Sequence, residues 1–153
     1  MTKPKLDITQ NPIKKVGNRR KAREAALRML YLCDNCGLTA EEADKAYWNE
    51  ENSLDVVMEF AKLLHIGAWE KREFLDELIM KYAKNWKLDR MTMIDRNILR
   101  LAAFEIVETP ETPISVIIDE AVEIAKAFST QDSGKFVNGI LDKIKTARKT
   151  VLS

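Results

Sequence analysis

The residues best suited to chemistry gather in one stretch, Arg19-Arg20-Lys21-Ala22-Arg23-Glu24-Ala25-Ala26-Leu27-Arg28-Met29-Leu30-Tyr31. Five of the ten residues from Arg19 to Arg28 are Lys or Arg, and only Glu24 is acidic. A solvated helix face ordinarily mixes the two signs. At about 100° per residue, Ala22, Ala26, Met29 and Cys33 share one stripe. Arg20, Glu24, Arg28 and Tyr31 fall opposite, flanked by Lys21 and Leu27. Cations that pair with phosphates, beside a ring that stacks a base, are what single-stranded nucleic acid asks of a protein. The plainer interpretation is a helix that begins basic, with Tyr31 covering a neighbouring loop.

Groups for bond-making chemistry are not legible. The sequence holds no G-x-x-x-x-G-K-[ST], no G-x-G-x-x-G and no paired His. Cys33-Asp34-Asn35-Cys36 is a lone C-x-x-C. It sits at the C-terminal end of the first helix, where the helix dipole disfavours a thiolate. A zinc site would need two further ligands, and the one His, His65, lies far along the chain. Cys33 therefore reads as a small core residue and Cys36 as a helix end before Gly37. His65 reads as packed or surface, and Asp119, Glu120 and Glu123 as solvated acids. Asp95-Arg96 is either a dipole-favoured helix start or a partner contact. Catalytic residues, metal and cofactor are all expected to be absent.

Helices must position these groups. The 153 residues are 46% hydrophobic and 32% charged, with five Gly and four Pro, enough for one helix-leaning globular domain. Net charge is +1, but residues 1–28 hold nine bases against Asp7 and Glu24. The remainder holds sixteen bases against twenty-two acids, so a basic arm precedes an acidic body. No apolar run approaches the roughly 18 residues of a membrane span, and no secretory leader is visible. A soluble, cytoplasmic protein is expected.

Residues 1–17 read as a flexible basic tail and 18–150 as a single all-helical domain. Asn18 is the expected cap of the first helix and Gly37 its stop. Thr39-Ala-Glu-Glu42 is a capping box for a short helix to about Trp48. Ser53 is expected to cap a helix bearing Val57, Phe60, Ala61 and Leu64 inward and closing at Gly67. From about Glu70 to Trp86, Phe74, Leu75, Leu78, Ile79, Tyr82 and Trp86 recur at helical steps. Thr92 opens a helix with Ile94, Ile98, Leu101 and Ala102 inward, ending near Glu108. Pro113 and Ser115 set up the next, with Ile117, Ala121, Ile124 and Phe128 inward. The last starts near Asp132, with Phe136, Ile140 and Ile144 on one stripe. Gly134 and Gly139 in that helix suggest close approach by another element or a ligand. The Trp48–Ser53 connection separates a smaller N-terminal helix group from a C-terminal bundle.

Three stretches in this order and spacing resemble one family. They are Arg19-Arg-Lys-Ala-Arg-Glu-Ala-Ala-Leu, Ile94-Asp-Arg-Asn-Ile-Leu-Arg-Leu-Ala, and Ser115 through Lys143 with its Lys-Phe-Val-Asn-Gly run. The family is the NusB group of bacterial transcription antitermination factors, and the resemblance spans about residues 18–145. It implies two small helical bundles packed together, about seven helices in all. It implies binding of single-stranded boxA RNA from ribosomal RNA leaders together with a ribosomal protein, NusE, within the RNA polymerase antitermination complex. By motif position, RNA-binding roles fall on Arg19, Arg20, Lys21, Arg23, Arg28 and Tyr31. A second RNA segment falls on Asp132, Ser133, Lys135, Phe136 and Asn138. A NusE-facing position falls on Asp95, with Arg96 beside it.

Phe136 also belongs to the apolar stripe, so core packing competes with an RNA contact there. Asp132 is the expected cap of the last helix and would repel phosphates. The tail before Arg19 is longer than the family pattern, and Gly134 replaces a bulkier residue. Two other functions fit the same residues. One is the NusB-like RNA-binding module of an rRNA cytosine methyltransferase, although such chains continue into a catalytic domain and this one ends at Ser153. The other is a homodimeric interaction module that covers its own RNA surface.

Overall fold

The computed structural model describes residues 17–50, 53–83 and 91–148. The expected basic tail and Trp86 lie outside these residues. The described chain folds into seven helices without a strand: α1 Asn18–Cys36, α2 Ala40–Glu50, α3 Asp55–Glu70, α4 Arg72–Tyr82, α5 Met93–Glu108, α6 Ile114–Phe128 and α7 Gln131–Ile144.

Local chemistry explains the ends that matter. α1 stops where Gly37 turns to φ 73° and its N–H returns to the Cys33 carbonyl, a left-handed conformation that glycine adopts without a Cβ clash. α2 opens with a reciprocal box: Thr39 N donates to Glu42 Oε1 at 2.9 Å, and Glu42 N to Thr39 Oγ1 at 3.0 Å. Thr92 caps α5 by accepting from Asp95 N. Several expected ends move. Gly17 and Leu54, not Asn18 and Ser53, hold the cap positions of α1 and α3, and neither supplies a side-chain bond. α7 is capped by Thr130, which accepts from Ser133 N, so Asp132 is left in the first turn. α3 runs through Gly67 to Glu70. That glycine is no terminator: a Cβ there would lie 2.3 Å from Phe104 Cζ, so the missing side chain lets α3 close on α5.

α5 is the centre of the molecule. Every residue from Asn97 to Val107 is buried, as befits a helix packed on all sides. Each fully buried aliphatic side chain there contributes about 1.5–3 kcal/mol. The larger apolar cluster joins α5 to the inner faces of α4, α6 and α7, to Ala26, Leu27 and Leu30 of α1, and to Leu64 and Ala68 of α3. A smaller cluster joins Ala22, Ala25, Met29 and Cys33 of α1 with Ala43, Val57 and Ala61. α1 and α3 belong to both, so the two bundles share helices. Phe74, one of the apolar residues recurring along α4, is 47% exposed, whereas its neighbour Leu75 is buried. His65 is buried, with Nδ1 3.0 Å from the Ala61 carbonyl and Nε2 3.2 Å from that of Ala40. Gly134 does meet another element, since a Cβ would touch Lys126 of α6, but Gly139 faces open space.

Candidate nucleic-acid interface

α1 carries its cations into three different settings. Lys21 is exposed and makes no side-chain ion pair or hydrogen bond among the described residues. Arg19 is also exposed, with its guanidinium 3.8 Å over the Phe60 ring of α3, and Arg28 lies 4.9 Å over Phe128 of α6. Stacking holds these two side chains while leaving N–H edges of the fork available. Arg20 is half-buried and donates Nε and Nη2 to the Glu120 carboxylate of α6, the latter at 2.9 Å. Arg23 is buried, and its Nε and Nη2 reach Glu105 at 2.7 and 2.8 Å. Tyr31, 40% exposed, continues the outer face of α1 past Arg28. The outer stripe is therefore Lys21, Glu24, Arg28 and Tyr31, with Arg19 and Arg20 at its edges.

The first turns of α5 and α7 meet beside the C-terminal half of α1. Arg96 Nε and Nη2 reach Asp34 of α1 at 3.0 and 2.9 Å, and Arg100 Nη1 reaches the same carboxylate at 3.0 Å. Arg100 also forks onto Asp76 of α4. Ser133 is buried and donates Oγ to Asp95 Oδ2 at 3.1 Å. These contacts fix α1, α5 and α7 relative to one another. The Asp95–Ser133 contact borders a groove of about 230 Å³ lined by Met91, Thr92, Asp95, Thr130, Asp132, Ser133 and Phe136. Asp132, Lys135 and Asn138 are exposed, while Phe136 is half-buried and packs on the larger cluster.

Two carboxyls in this region are displaced in opposite directions. Asp95 is buried, and its Oδ1 has no hydrogen-bond partner among the described residues. Burial raises its pKa above the usual carboxylate range, against the opposing hydrogen bonds from Ser133 and Thr92. Glu120 is held below that range, chiefly by its hydrogen bonds from Arg20. Glu120 is thus not the solvated acid its sequence context suggested. Its partner lies 100 residues away, a separation that no local pattern reveals. The roles of Phe60, Phe128 and Asp34 in orienting the arginines had no sequence signal either. Cys33 is buried, its thiol pushed up to about 11 mainly by desolvation, while Cys36 is exposed. No cluster of three or more metal-ligating side chains and no helix long and apolar enough to cross a membrane occurs among the described residues.

The fold and surface define a class: an all-helical, two-bundle protein around one buried helix, displaying ring-stacked cations and one exposed tyrosine along its first helix. The NusB family model matches residues 20–146, and the chain belongs to that family. Similar proteins include the transcription antitermination protein NusB of Elusimicrobium minutum, 46% identical over 136 residues, with 88% of this chain and 97% of the relative covered. The NusB of Symbiobacterium thermophilum is 44% identical over 83% of this chain and 88% of its own. Among solved structures, T. maritima NusB superposes with a TM-score of 0.77 at 38% identity, covering 84% and 90% of the two chains. A crystal structure of the antitermination factors NusB and NusE in complex with dsRNA gives 0.79 at 30% identity, covering 85% and 97%.

Proposed function

We propose that this protein is a non-catalytic, cytoplasmic transcription antitermination factor. It binds boxA-type single-stranded RNA together with the ribosomal protein NusE and joins the RNA polymerase antitermination complex. The observation that carries this is the outer stripe of α1, where Lys21, Arg28 and Tyr31 stand exposed beside two stacked or paired arginines. Support comes from the solved NusB–NusE–RNA complex that this fold resembles, and from antitermination proteins matched over nearly their whole length. Those matches favour this role over that of a methyltransferase module.

Lys21, Arg28 and Arg19 meet phosphates, and Tyr31 stacks an unpaired base. On α7, Lys135 adds a cation, Asn138 offers a base-reading amide and Phe136 an edge of ring. Arg23 and Ser133, both buried, act by holding α1 and α7 in place. Asp95 and Arg96, at the start of α5, lie where NusE joins the assembly. Asp132 opposes phosphate and tunes affinity.

The test is fluorescence anisotropy of a labelled boxA-like RNA across a salt series. Lys21→Ala and Arg28→Ala should weaken binding to every RNA and flatten the log–log salt slope by about 0.7 for each phosphate no longer neutralised. Tyr31→Ala should weaken boxA-like RNA more than a scrambled strand. Unchanged slopes in both cation variants would refute the placement of RNA on α1.

A further inference from the structure

Glu120 fills the guanidinium fork of Arg20. Arg20 gives Nε and Nη2 to its two carboxylate oxygens, the same forked geometry in which a guanidinium takes a phosphate. The two side chains keep 23% and 24% of their surface in solvent, so the pair is reachable from outside. Each partner stabilises the charge of the other: the Arg20 guanidinium is pushed up and the Glu120 carboxyl held down, with their mutual hydrogen bonds the largest cause. A second guanidinium waits behind. Arg23 Nη1 lies 3.7 Å from Glu120 Oε1, while Arg23 itself is anchored on Glu105. If Arg20 turns outward, Glu120 still faces a cation and does not become a buried, unpaired charge.

Resting on the RNA-binding function above, we propose that Glu120 is an intramolecular competitor for the RNA backbone. In the free protein it fills the Arg20 fork; a phosphate exchanges with it, and the carboxylate falls back on Arg23. The exchange swaps one charge-assisted, two-point pair for another, so its net cost is small for a part-exposed pair. It also holds one of the α1 cations in reserve: a ligand must bring a phosphate to the α1–α6 seam to recruit Arg20. Isolated anions that reach only Lys21 or Arg28 do not recruit it. Glu24 and Glu123 also act on Arg20 electrostatically, but neither bonds to it.

The experiment titrates labelled boxA-like RNA with the full chain, parent and variants, at several salt concentrations, with thermal melting in parallel. Glu120→Gln keeps the shape and removes the competing charge. It should bind about twofold to fivefold tighter at low salt, with a salt slope steeper by up to about 0.7. Asp119→Asn removes the same charge from the preceding position of α6 and should change affinity less. In an Arg20→Ala background, Glu120→Gln should give no gain, because the fork it would free is gone. No tightening in Glu120→Gln, an equal gain in Asp119→Asn, or a gain that persists without Arg20 would each overturn the proposal. Failure of the underlying function looks different: the parent and Lys21→Ala would bind RNA equally poorly. Inorganic polyphosphate then replaces RNA as the probe, and the exchange stands or falls on whether Glu120→Gln gains for it.

Discussion

Arg23 and Glu105 show what a buried charge costs and what retains it. Both side chains are at most 7% exposed and meet through two bonds of 2.7 and 2.8 Å. Removing one partner strands the other without solvent. Arg23→Ala should therefore cost about 3–5 kcal/mol, whereas Arg23→Met with Glu105→Leu should recover most of the loss. Chemical denaturation of the parent and these two variants measures both. Asp95 is instead buried with one carboxylate oxygen unpaired among the described residues. Its pKa is raised by burial, so the folded state holds the proton more tightly than the unfolded one. Stability from this group is present below the unfolded carboxyl range and lost as pH rises through the folded value. Asp95→Asn should raise the melting temperature at pH 7 and match the parent near pH 3; a fall at pH 7 would contradict this. The cysteines differ by access: one equivalent of iodoacetamide should label Cys36 in the native protein, and Cys33 should react only after unfolding. At this scale the sequence revealed residue types but not settings. Arg19, Arg20, Lys21, Arg23 and Arg28 look alike in a row, and only distant partners (Phe60, Glu120, Glu105, Phe128) divide them into exposed, paired and buried.

The elements were more legible because their causes are local. Thr39-Ala-Glu-Glu42 formed its box, Gly37 ended α1, and Thr92 capped α5, each from chemistry within four residues. Glycines misled where the reason was tertiary. Gly67 looked like a stop, yet it is an opening for the Phe104 ring from a helix 37 positions on. Gly67→Ala should cost at least about 1–3 kcal/mol through overpacking, and Phe104→Leu in the same chain should restore part of it. Gly139 had suggested a close neighbour, but no atom lies within 4 Å of its would-be Cβ. Gly139→Ala should stabilise α7 by about 0.5–1 kcal/mol, read from the same denaturation curves. Phe74 followed the apolar period of α4 and is nonetheless exposed, since period alone does not say how wide a face the neighbours cover.

Over the whole molecule, a sequence that is basic at its N-terminus continues into an acidic body, and that body decides how much of the α1 charge is available. Glu105 and Glu120 take up Arg23 and Arg20, leaving Lys21, Arg19 and Arg28 outward. Composition could state the imbalance, and the family resemblance supplied two bundles and a ligand class. Neither could say that α1 and α3 serve both clusters, because that follows from packing against α5. The function proposed above requires this surface to recognise RNA as part of an assembly. Its most direct measurement is anisotropy of a labelled boxA-like RNA titrated with the protein, alone and with NusE, against a scrambled strand at two salt concentrations. Binding should be tighter with NusE, selective for the boxA-like strand and retained in part at the higher salt. Weak binding that ignores both sequence and NusE and vanishes with salt would contradict it.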